Sequence, residues 1–105
     1  MGKSRGPMTE AMFYVLLALQ EPQHGYALMS AVADISRGRV EMGPGTLYGV
    51  LSRMQKERLI ALDEDDGRRK AYRLTSAGQT ALRQELQRLQ AMVEDGQRQM
   101  GGSNW

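Results

Sequence analysis

The chain has 105 residues, a formal net charge of +2 and no cysteine. The missing cysteine excludes disulfides, thiolate metal sites and a cysteine nucleophile. The length allows one small domain of marginal stability, which pairing with a second copy would reinforce, and the pI of about 9.2 points to an anionic partner only if the cations share one face.

Residues 1–7 read as a loose, polar arm. Thr9 is an N-cap for a first helix expected to run to about Gln20, where Glu21-Pro22 ends it. Ala11 to Leu19 is apolar nearly all round, so that helix needs burial on more than one side. One side faces its own domain, and a second subunit is the expected cover for the other. The run is too short to span a bilayer. No apolar leader follows Met-Gly-Lys-Ser-Arg-Gly, so the expected compartment is the cytoplasm, with no membrane contact.

Gln23-His24-Gly25 is expected to make a turn that His24 closes. A second helix over Tyr26–Ser36 places Leu28, Val32 and Ile35 on one face, Arg37-Gly38-Arg39 breaks it, and Val40-Glu41-Met42 adds a short extended piece. A third helix opens at Pro44, whose fixed φ suits a first helical position, and ends near Arg58. Leu47, Leu51 and Met54 form its apolar stripe. The opposite face carries Gly45, Thr46, Gly49, Ser52, Arg53 and Lys56, with Tyr48 on the flank. Small residues let a helix sink into a groove, a hydroxyl reaches base edges or phosphates, and the cations meet the flanking backbone. The bland alternative for Arg53 is an ion pair with Glu57.

Leu59 to Glu64 reads as a strand with Ile60 and Leu62 on alternate positions. Asp66-Gly67 is a turn signal, and Arg69–Leu74 returns with Tyr72 and Leu74 inward and Arg73 outward. Arg68, Arg69 and Lys70 place three cations near the hairpin tip. The acidic run Asp63 to Asp66 lacks the spacing of a calcium loop and reads as a solvated turn whose acids face away from that tip.

Thr75 or Ser76 starts the last helix, where Leu82, Leu86, Leu89 and Val93 follow a heptad seam until Gly96 interrupts it. With Met12, Phe13 and Leu16 of the first helix, these four make the expected dimer interface. Met8, Met12, Phe13, Tyr14, Met92 and Met100 fit plain interface packing better than a central cavity. The division is therefore an arm over 1–7, a winged helix-turn-helix over 8–75, a dimerisation helix over 76–100 and a disordered tail over 101–105. The fold class is mainly α, formally α+β, with the terminal helices forming a dimer interface. One histidine, no nucleophile–base pair and no phosphate loop argue against an enzyme, and no metal or cofactor is expected.

The chain resembles the PadR family of bacterial transcriptional regulators in its short form. The matching pieces are Leu16-Leu17-Ala18-Leu19, His24-Gly25-Tyr26-Ala27-Leu28, Gly43-Pro44-Gly45-Thr46-Leu47-Tyr48, Leu51-Ser52-Arg53-Met54 and Tyr72-Arg73-Leu74-Thr75-Ser76-Ala77-Gly78. The resemblance implies a homodimeric repressor on an inverted repeat in double-stranded DNA, released in many members by a small aromatic or drug-like effector. It places Thr46 and Tyr48 in the helix that enters the major groove, and Arg68, Arg69 and Lys70 on the wing. One departure is Arg58, where the family has a glycine C-cap, so Arg58 must turn left-handed or the helix must end differently. The competing reading, favoured by the acidic strand and modest charge, is a winged-helix protein-interaction module that does not bind DNA.

Overall fold

The structure, a computed structural model, describes residues 8–65 and 70–101. The expected arm over 1–7, the Asp66-Gly67 turn, Arg68, Arg69 and the tail beyond Gly101 lie outside the described residues. The elements run α1 (Glu10–Ala18), β1 (Gln23–His24), α2 (Gly25–Ile35), α3 (Pro44–Lys56), β2 (Ile60–Asp65), β3 (Lys70–Leu74) and α4 (Ser76–Gln99). This is a winged helix: three helices and a small antiparallel sheet of order β1-β3-β2, followed by one long helix.

Thr9 caps α1 as expected, its hydroxyl accepting from the Met12 N–H at 3.1 Å. The helix stops at Ala18, two residues before the expected Gln20. There the Gln23 side-chain amide donates to the Ala18 carbonyl at 3.0 Å. Gln23 and His24, expected only to turn, form a strand that pairs Gln23 with Tyr72 and His24 with Ala71. The sequence signal for a two-residue strand is negligible, because its hydrogen bonds come entirely from the distant β3 edge.

The core gathers Met12, Val15 and Leu16 from α1, Leu28 and Val32 from α2, and Leu47, Leu51 and Met54 from α3. Leu59, Ile60, Tyr72 and Leu82 close it from the sheet and α4. Each fully buried Leu or Met contributes about 1.5–3 kcal/mol. Ile35 does not join Leu28 and Val32 inside; it is 44% exposed, and Ser36 takes the interior place at the helix end. The Ser36 hydroxyl accepts from the Val40 N–H at 2.9 Å and lies 3.3 Å from the Ala33 carbonyl. That bond shapes the connection into α3, and Val40 to Met42 carries no strand.

Both α2 and α3 end in a left-handed residue that is not glycine. Arg37 has φ 58° and Arg58 has φ 63°. At α3 the Leu59 N–H reaches the Met54 carbonyl at 2.9 Å and the Arg58 N–H reaches Gln55 at 3.0 Å. These are the two bonds of a Schellman cap. Arg58 thus holds the conformation in which an arginine is strained, and the helix ends where a glycine would end it.

β2 pairs with β3 from Ile60–Leu74 to Asp65–Lys70, with a register shift between Leu62 and Glu64. A bulge bends and twists its strand. Ile60 is buried below it, whereas Leu62, two positions on, is 38% exposed. On β3, Tyr72 is buried, Leu74 half-buried and Arg73 exposed, as the alternation predicted.

Thr75 caps α4, accepting from the Gly78 N–H at 2.9 Å. Its own N–H donates to the Leu59 carbonyl at 3.0 Å, and its hydroxyl to the Arg58 carbonyl at 2.7 Å. A Cβ on Gly78 would stand 2.0 Å from the Leu59 oxygen. Gly78→Ala is therefore expected to lower stability by about 2–3 kcal/mol. Arg58→Gly, which relieves the left-handed strain, is expected to raise it by about 0.5–1 kcal/mol. Urea unfolding of the two variants reads both signs.

Candidate functional site

The α3 helix turns its Leu47–Leu51–Met54 stripe fully into the core. That fixes what faces outward: Gly45, Thr46, Gly49, Ser52, Arg53 and Lys56 are all exposed, as is Tyr48 on the flank. A Cβ built on Gly45 or Gly49 meets nothing within 4 Å. Glycine in a helix interior costs about 0.8–1 kcal/mol relative to alanine. Among the described residues no packing accounts for that cost at Gly49. Gly43, the N-cap, brings no capping side chain, so among the described residues the N–H groups of the first turn have no side-chain cap.

The Arg53 guanidinium is engaged by Glu57, Nε to Oε2 at 3.0 Å, the pairing the spacing allowed. Its side chain is nonetheless 44% exposed, and surface pairs of this kind are worth little. Tyr48 lays its ring over α2, with its hydroxyl 2.8 Å from where a Cβ of Gly25 would be. On the hairpin, Lys70 opens β3 with its side chain exposed. Arg68 and Arg69, also named from the sequence, fall outside the described residues. Asp63 pairs with Arg73 across the hairpin at 3.6 Å. The direction of the later acids relative to the tip lies outside the described side chains.

The second candidate surface lies where α1 meets α4. Met12, Leu16 and Leu82, named for the dimer interface, are at most 6% exposed. The core of the single chain already covers them, so they have no face left for a partner. The remaining seam residues sit differently: Leu86 and Val93 are each 53% exposed, and Phe13 and Leu89 are half-buried. Met92 and Met100 extend this exposed apolar strip to 52% and 71% exposure. Two grooves flank Phe13. One, of about 220 Å³, is lined by Phe13, Leu17, Leu82 and Leu86 among others. The other, of about 260 Å³, includes Met8, Tyr14, Glu85, Arg88 and Leu89.

Two features here were missed from the sequence. Glu85 is only 9% exposed, and the Arg88 guanidinium grips it from one turn later, Nε to Oε1 at 3.0 Å. The Glu-x-x-Arg spacing was a readable signal for this pair. The Arg39 guanidinium donates to the Tyr14 hydroxyl at 2.9 Å, joining the turn before α3 to α1. Nothing local in the sequence announces a contact across 25 positions. Among the described residues no three His, Asp or Glu side chains gather as a metal site, and no helix is long and apolar enough to cross a membrane.

Residues 15–84 match the family model of the PadR-like transcriptional regulators. Over 77 residues, 72% of this chain, it is 40% identical to an uncharacterised protein of a Streptomyces fradiae transposon. The chain spans 22% of that protein's length and 36% of the length of the next curated relative. In structure it is similar to a PadR family transcriptional regulator from Eggerthella lenta, with TM-score 0.75 and 28% identity over 89% of this chain and 83% of that one. It is also similar to the PcaV transcriptional regulator of Streptomyces coelicolor, solved with its natural ligand, with TM-score 0.68 and 26% identity. That match covers 82% of this chain and 58% of PcaV.

The hydrogen bonds from Arg88 hold the Glu85 carboxyl below the ordinary glutamate range. A carboxylate whose pKa is depressed on folding stabilises the fold above its unfolded pKa, and that contribution disappears as pH falls through the folded value. Glu85→Gln is therefore expected to be less stable than the parent near pH 7, and the gap should narrow at a pH below the ordinary glutamate range. Urea midpoints at the two pH values check it.

Proposed function

The chain belongs to the PadR-like family of transcriptional regulators, and from that premise we propose that it is a cytoplasmic, homodimeric repressor of a palindromic operator. In this reading α3 enters the major groove. Gly45, Thr46, Gly49 and Ser52 approach the bases, while Tyr48, Arg53 and Lys56 meet the backbone. Arg68, Arg69 and Lys70 on the wing hold the neighbouring backbone.

The observation that carries the reading is the glycine pair on α3. Gly49 lies in mid-helix, exposed, with open space where a side chain would go. No described residue would oppose an alanine there, and alanine is the better helix former. A flat face at that position is useful when another surface must come within van der Waals reach, and a duplex groove has that shape. The uncapped first turn supports the same reading, since its N–H groups and the helix dipole favour phosphate.

Dimerisation is supported by the apolar strip that α4 leaves uncovered beyond Leu82. Leu86, Leu89 and Val93 of two copies would pack together over the Phe13 grooves. Two wings and two groove helices would then face half-sites about one helical turn apart. The same grooves are the place for a small aromatic effector, and PcaV is a precedent for a ligand-bound regulator of this shape.

Gly49→Ala separates this reading from a purely structural one. It should raise stability by up to about 1 kcal/mol and still weaken operator binding about tenfold, a loss of about 1.4 kcal/mol. Thermal melts and fluorescence anisotropy on control-region DNA measure the two together. A stabilised variant that binds the duplex as well as the parent would remove α3 from the interface. Leu86→Asp with Val93→Asp should yield a folded monomer by analytical ultracentrifugation, and a surviving dimer would rule out the seam.

A further inference from the structure

We infer that Tyr26, with His24 stacked against it, is an additional contact to the DNA backbone, lying between α3 and the hairpin. The inference rests on the DNA reading above. Around Gly25 the chain collects three aromatic rings. Tyr48 covers Gly25 from α3, its hydroxyl and two ring carbons 2.8, 3.0 and 3.2 Å from where a Cβ would stand. Any side chain at position 25 would push that ring away. His24 and Tyr26, on either side of Gly25, stack with centroids 5.3 Å apart and planes 9° from parallel.

Tyr26 is 55% exposed and Tyr48 44%. Among the described residues the Tyr26 hydroxyl has no hydrogen-bond partner. His24 Nδ1 is buried and also unpartnered.

The register places this patch. His24 pairs with Ala71 on β3, and the next residue toward the hairpin tip is the exposed Lys70. The patch therefore lies between Tyr48 of α3 and the edge of β3. Its chemistry is aromatic faces edged with hydroxyls. That suits deoxyribose against the rings and phosphate against the hydroxyls. It does not suit an aliphatic partner, for which the α1–α4 strip is the available surface.

The test is anisotropy titration of full-length parent, Tyr26→Ala and Tyr26→Phe with a control-region duplex and a scrambled duplex across a salt series. Tyr26→Ala is expected to bind both duplexes about tenfold more weakly than the parent. The slope of log affinity against log salt should not change, because tyrosine carries no charge and releases no counterion. Tyr26→Phe keeps the stack on His24 and should fall between the two. Melting curves and sedimentation establish that the variants remain folded dimers, and if Tyr26→Ala does not fold, Tyr26→Phe alone decides. Parent-like affinity in the variants, with a parent that binds, overturns this inference and leaves the DNA reading standing. A loss on the control-region duplex alone overturns the backbone assignment. A parent that shifts neither duplex overturns both readings.

Discussion

The Leu59 carbonyl ties the separate parts of this protein to one another. It accepts the Thr75 N–H at 3.0 Å, and Gly78 packs so closely on it that a methyl group would overlap the oxygen. One residue earlier, Arg58 ends α3 in a left-handed turn, and its carbonyl takes the Thr75 hydroxyl at 2.7 Å. The end of α3 and the start of α4 are thus held against each other, with the β2–β3 hairpin looped out between them. The pose of α3 relative to α4 follows from this junction. In the proposed dimer, the distance between the two groove helices would follow from it as well.

Glycine does opposite work at the two ends of this arrangement. At Gly78 and Gly25 its small size lets parts of the chain approach: a carbonyl in one case, the Tyr48 ring in the other. At Gly45 and Gly49 no described residue comes within 4 Å of where a Cβ would stand. A glycine that weakens its own helix, with no neighbour among the described residues to explain it, directs attention to a neighbour outside. The exposed cations further along α3 and the lysine that opens β3 give that neighbour a sign, and a polyanion fits.

Much of this was legible in the sequence because the signals are local and periodic. The Pro44 start, the Leu47–Leu51–Met54 stripe, the Thr9 and Thr75 caps and the alternation on β3 all appear where spacing placed them. The conflict at Arg58 was also legible, and it resolves by the arginine adopting the left-handed turn. What spacing did not reveal depends on contacts between distant segments. β1 exists only because β3 offers an edge, and Ile35 yields its interior place to a hydrogen-bonding serine. A heptad count also cannot tell which seam residues the chain buries itself: Leu82 goes to the core, while Leu86 and Val93 remain outside.

The exposed face of α3 as the surface that meets DNA is the claim on which everything functional here depends. Its most direct test is an amide chemical-shift titration of the isotope-labelled protein with a duplex from its own control region. The account predicts that the resonances of Gly45, Thr46 and Gly49 move first and furthest, and that those of α1 and the second half of α4 stay in place. Shifts confined to α1 and α4, or none at all, would contradict it.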